Sequence, residues 1–128
     1  MKRGLAVWLL IMLIETAHGM LRGLFLAPYV GEETASRIGW PIGLALVFLV
    51  SVLTIRWIGV TGAAPLARLG ALWAVLTAGF ELLIGVLRGL DASQLLAALD
   101  PRTGSIPYSA AVMLLTPLAA DWLRRRTG

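Results

Sequence analysis

Apolar residues fill four long stretches of this chain, at about 5–27, 41–58, 66–90 and 107–123, and most polar residues gather in the short intervals between them. A helix needs about 17–25 apolar residues to cross a hydrocarbon layer of ~30 Å. Each stretch approaches or exceeds that length. The pattern therefore predicts an all-α integral membrane domain of four transmembrane helices, which leaves little of the 128 residues for anything else. Residues 92–99 read as a short interfacial helix, with Asp91 capping its start and Pro101 stopping it. Residues 31–38 read as a cruder version of the same element. Pro41 and Pro107 are expected to open the second and fourth spans, where a missing N–H costs least. Pro117 should kink the fourth span, with Thr116 or a neighbouring helix satisfying the freed carbonyl.

The first and third stretches share a phrase. Glu15, Gly19, Leu21, Arg22, Gly23 and Leu24 recur without a gap as Glu81, Gly85, Leu87, Arg88, Gly89 and Leu90, an offset of 66 residues (81 − 15 = 66). The same offset maps Gly4 onto Gly70, Pro41 onto Pro107, Ala45 onto Ala111 and Leu49 onto Leu115. Two tandem two-helix repeats are expected, about 1–62 and 63–128, joined by an inner loop marked by Gly59, Gly62 and Pro65. Each repeat crosses twice, so the two are parallel and related by an axis along the membrane normal. That places Glu15 and Glu81 at one depth, with Arg22 and Arg88 about 10 Å further out at 1.5 Å per residue.

Composition agrees with a membrane domain. The chain is 59% hydrophobic and 14% charged, where a soluble domain carries about 25% charged residues. The net charge of +4 might point to nucleic acid, but the basic residues are distributed otherwise. Lys2, Arg3, Arg56, Arg68, Arg124, Arg125 and Arg126 fall on one side, against a single acid, Asp121. Glu32, Glu33, Arg37, Asp91, Asp100 and Arg102 fall on the other. This asymmetry predicts both termini in the cytoplasm of a bacterial inner membrane, with the basic ends meeting anionic lipid headgroups rather than nucleic acid. Trp8, Trp57, Trp73 and Trp122 near the inner ends, and Tyr29, Trp40 and Tyr108 near the outer ends, read as interfacial belts. Cysteine is absent, which excludes disulfides and thiolate metal sites. The opening basic pair and apolar run could pass for a signal peptide, but the copy at 66–90 has the same layout in mid-chain.

Glu15, His18, Gly19 and Arg22 lie at i, i+3, i+4 and i+7, one face of a helix; Glu81, Gly85 and Arg88 repeat it, with Ile84 in place of the histidine. Ionisable groups within a membrane are costly and mark function by default. Glu15 and Glu81, aided by His18, are thus candidates for a proton or cation site. The alternative is a structural network with Thr16, Ser51, Thr54, Thr77 or Thr116. Arg22 and Arg88 are either snorkelling anchors or a pair facing an anionic headgroup, or a gate. Gly19, Gly23, Gly85 and Gly89 form small-xxx-small pairs, expected to pack the first and third helices together. Glu15 and His18 also make a Glu-x-x-His, so Glu15, His18 and Glu81 of a dimer supply a di-metal carboxylate inventory as a minor alternative. No nucleophile elbow, phosphate loop or second histidine is present; neither an enzyme nor a cofactor is expected.

The Glu15-to-Arg22 pattern, with Phe80, Glu81 and Gly85 in the third helix, resembles a group of small, uncharacterised bacterial four-helix membrane proteins. That resemblance implies the architecture and adds no activity. Length and the single residue Glu15 are also similar to small multidrug resistance transporters. The second glutamate, the tandem repeat and the Lys/Arg bias depart from them and argue against dual insertion. The function expected is a small homo-oligomeric transporter or channel, because one such bundle is too thin to enclose a hydrated path. The alternative is a non-catalytic accessory or assembly subunit of a larger membrane complex.

Overall fold

The computed structural model describes residues 2–127, and over these the chain is all-helical. Helix α1 covers Lys2–Val30, α2 Glu32–Ile58, α3 Ala63–Leu87, α4 Ala92–Leu99 and α5 Ile106–Thr127. Four of them are long and apolar enough to cross a membrane: α1, α2, α3 and the 21 residues Ile106–Arg126 of α5. Only 28% of the most apolar window of each is buried within the protein, leaving a predominantly apolar exterior.

The first connection differs from the interfacial element expected at 31–38 and the helix start expected at Pro41. α1 continues past Leu21 through a single π turn at Arg22–Leu26, where the Ala27 N–H reaches back five residues to the Arg22 carbonyl, and ends at Val30. Pro28 explains the wide turn. It has no N–H for the Leu24 carbonyl, and its ring crowds that group, so the ladder loosens just before it. The whole break is concentrated at Gly31, whose φ of +86° suits a residue without a Cβ. α2 then begins at Glu32, not Pro41. Glu32 and Glu33 sit in its first turn, where the helix dipole favours acids. Residues 32–38 are thus the start of α2, not a separate interfacial helix, and Pro41 lies inside it. Its fixed φ is helical, but it has no N–H for the Arg37 carbonyl and its ring crowds that group.

The second connection is as expected at α4. Asp91 accepts from the Gln94 N–H at 2.9 Å, and the Gln94 side chain accepts from the Asp91 N–H at 2.9 Å, a reciprocal cap. The Gln94 N–H and the Ser93 hydroxyl hold the Asp91 carboxyl below its ordinary range. Arg102 does the same for Asp100, through its side chain first and its N–H second. Pro107 is the second residue of α5, as its missing N–H requires. Pro117 lies within α5, but the Thr116 hydroxyl donates to the Val112 carbonyl and not to that of Met113, the one Pro117 frees.

The chain divides into two compact units, Met1–Gly59 with Ala120–Gly128, and Val60–Ala119. In the first, α2 buries every fourth residue: Ala35, Gly39, Gly43, Val47, Ser51 and Ile55. This one straight ridge packs against Gly4, Val7, Trp8, Ile11 and Met12 of α1. In the second, Leu66, Leu69, Gly70, Trp73 and Thr77 of α3 are buried, with Met113, Thr116 and Pro117 of α5. A Cβ at Gly70 would run into the Leu114 carbonyl, so α3 and α5 touch backbone to backbone there. Trp8 and Trp73 are core residues, at 8% and 0% exposure, and not part of an interfacial belt. Their neighbours on the same helix faces explain it: both lie on the buried stripe. Trp57 and Trp122 are exposed, under the guanidinium groups of Arg3 and Arg126 at 5.1 and 4.5 Å from the ring centroids.

Candidate functional site

Three polar side chains of α1 meet two glycines of α2. The spacing of Glu15, His18 and Arg22 puts them on one helix face, and the four-residue ridge of α2 puts Gly39 and Gly43 opposite. His18 Nε2 lies 3.0 Å from the Gly39 carbonyl oxygen. A carbonyl only accepts, so Nε2 carries the proton and donates it. A Cβ on Gly39 would lie 2.7 Å from Arg22 Cδ and 3.4 Å from His18 Nε2. On Gly43 it would lie 3.1 Å from Glu15 Oε2 and 3.7 Å from His18 Cδ2. Gly39 and Gly43 are the floor on which all three side chains rest. His18 and Arg22 are the neighbours of Glu15 on this face of α1. Its other oxygen, Oε1, is sealed from solvent and has no hydrogen-bond partner.

The second unit holds the matching carboxylate. Glu81 Oε2 is likewise sealed and unpartnered. The Ser109 side chain lies beside the Glu81 carboxyl. Ser109 is the residue that the 66-residue offset places on Gly43 (43 + 66 = 109). Each glutamate therefore faces a small residue of the long helix that follows in the chain order of its unit, Gly43 in one and Ser109 in the other.

The remaining expected site residues fall as follows. Arg22 turns inward over Gly39, whereas Arg88 is exposed at the C-terminal cap of α3. A Cβ at Gly19 or Gly23 would meet nothing within 4 Å, so these two make no close packing. Gly85 is tightly packed, but against the side chains of Leu95 and Leu90. Gly89 is a helix stop, not a packing residue. At φ +86° it lets the Leu90 N–H reach the Gly85 carbonyl and its own N–H reach that of Val86, both at 3.0 Å. The close-packing pair Gly39/Gly43 escaped the sequence because taking Pro41 as a helix start splits it. The i, i+4 glycines were the available signal.

Among the described residues, no three of His, Asp and Glu group as a metal site requires. No family model matches the chain, and neither a curated protein nor a solved structure matches it.

Proposed function

We propose that the chain is a small homo-oligomeric transporter or channel of the bacterial cytoplasmic membrane, with both termini inside, whose proton or cation sites are built on Glu15 with His18 and on Glu81. The observation that carries this is the pair of sealed, unpartnered carboxylate oxygens at matching positions of two apolar helices. An ionised oxygen without a donor is costly in such surroundings. Its stable states are a protonated carboxyl or a carboxylate in contact with a cation. Purely structural glutamates would have both oxygens bonded.

His18 and Arg22 make the ionised state of Glu15 tolerable between these two. His18 is held by the Gly39 carbonyl, and so keeps its place while Glu15 changes charge. Arg22 lies at the start of the π turn, a local loosening of the kind found at working positions in helices, and serves as counter-charge and gate. Arg88, exposed at a helix end, acts as an outer anchor for a headgroup.

A membrane-soluble carbodiimide tests the site. It should modify Glu15 and Glu81 in the folded protein, and a substrate cation should protect them. No modification of either residue would remove the site. Purification in mild detergent tests the class: a clean homo-oligomer fits a transporter, whereas stoichiometric co-purifying subunits would favour an accessory subunit.

A further inference from the structure

The first unit has a second polar cluster that shares no residue with the carboxylate site. It joins the start of α1, the end of α2 and the end of α5. Arg3 Nη1 donates to the Trp57 carbonyl at 2.9 Å, and its guanidinium lies over the Trp57 ring. Next along α2, Arg56 Nη2 donates to the Arg124 carbonyl at 3.3 Å. Arg126 stacks on Trp122, and Arg125 closes an ion pair with Asp121 at 2.8 Å. Lys2, Arg3, Arg56, Arg124, Arg125 and Arg126 thus stand against one acid, and that acid is already paired.

Two of these arginines serve a local purpose, since a cation on the last carbonyls of a helix offsets its dipole. That purpose does not use them up. A guanidinium has five N–H donors in a fixed fork, and these contacts take one nitrogen from each. Arg124 Nε is sealed from solvent without an acceptor. Among the described residues, Asp121 is the acid of this cluster, and the contacts of Arg3, Arg56 and Arg126 are to neutral carbonyls and rings.

We propose that this cluster is a binding site for the phosphate of an anionic phospholipid, held by Arg3, Arg56 and Arg124, with Trp57 and Trp122 against the glycerol and upper acyl region. A lipid is the fitting occupant because the cluster lies at the ends of helices long and apolar enough to span a membrane. The two tryptophans, 51% and 57% exposed, are the residue type that favours that depth. Each arginine near an anionic lipid surface contributes about fivefold in affinity.

The test is lipid retention by the intact protein in neutral detergent, read by native mass spectrometry with phosphatidylglycerol and phosphatidylcholine as probes. Phosphatidylglycerol should be retained over phosphatidylcholine. Arg3→Gln and Arg56→Gln should each lower its retention about fivefold. Arg37→Gln, which removes the same charge from an exposed pair with Glu33, should leave retention unchanged. Arg56→Lys keeps the charge without the fork and serves if Arg56→Gln does not fold; it should lose part of the preference. Equal retention of the two lipids would overturn the site. So would an Arg37→Gln loss matching that of Arg56→Gln, or displacement of the lipid by inorganic phosphate alone.

Discussion

His18 of α1 donates to the carbonyl of Gly39 in α2 across 3.0 Å, and this contact fixes how the polar face of α1 meets the glycine ridge. A Cβ on Gly39 would lie 2.7 Å from Arg22 Cδ, so added bulk should be felt there. Gly39→Leu should overpack α1 against α2 and cost about 1–3 kcal/mol. Gly19→Leu should cost far less, because a Cβ there meets nothing within 4 Å. Thermal unfolding of both variants in one detergent checks the difference, and equal loss at both positions would contradict the packing.

Gly43 and Ser109 differ by one hydroxymethyl group, and Gly43→Ser should set a hydroxyl donor beside Glu15, whose Oε2 would lie 3.1 Å from a Cβ there. A donated hydroxyl favours the ionised carboxylate. Carbodiimide modification, which needs the protonated form, should therefore slow at Glu15. Gly43→Ala supplies the same Cβ without the hydroxyl and should not slow it. Rates by mass spectrometry for the two variants separate hydrogen bonding from crowding.

Much of the fold was legible because long apolar helices follow from apolar length alone, and α4 from a cap and a proline, Asp91 and Pro101. What the sequence concealed depended on three residues with two structural readings. Pro41 fits a first turn or an interior position, and only Gly31 together with Glu32 and Glu33 shows that α2 starts nine residues earlier (41 − 32 = 9). Trp8 and Trp73 fit a belt or a core, and the buried stripe decides for the core. The glutamates were recognisable as costly residues, but the partner of each lies on the following helix. Which residue that is depends on register, and no single span reveals it.

Gly89 ends α3 in a left-handed conformation, at φ +86°. Gly89→Ala should cost about 1–2 kcal/mol from that conformation alone, without touching the carboxylate sites. Stability should fall while carbodiimide modification of Glu15 and Glu81 in the folded protein is unchanged.

The cap of α4 should depend on pH. The Asp91 carboxyl is held below its ordinary value of 3.8 by donors that favour its charged form. The cap's contribution is therefore complete above that value and is lost as pH falls through the lower, folded-state value. Hydrogen exchange at the Gln94 and Leu95 amides should stay slow down to about pH 4 and quicken below it. Asp91→Asn should flatten that dependence.

Flux measured in proteoliposomes bears most directly on the central proposal, that Glu15 and Glu81 carry a proton or cation. The wild-type protein should give pH-dependent cation or proton flux. Glu15→Gln and Glu81→Gln, which keep size and hydrogen-bonding capacity but cannot ionise, should each abolish it while the protein remains folded and oligomeric. Wild-type flux through both variants would contradict it.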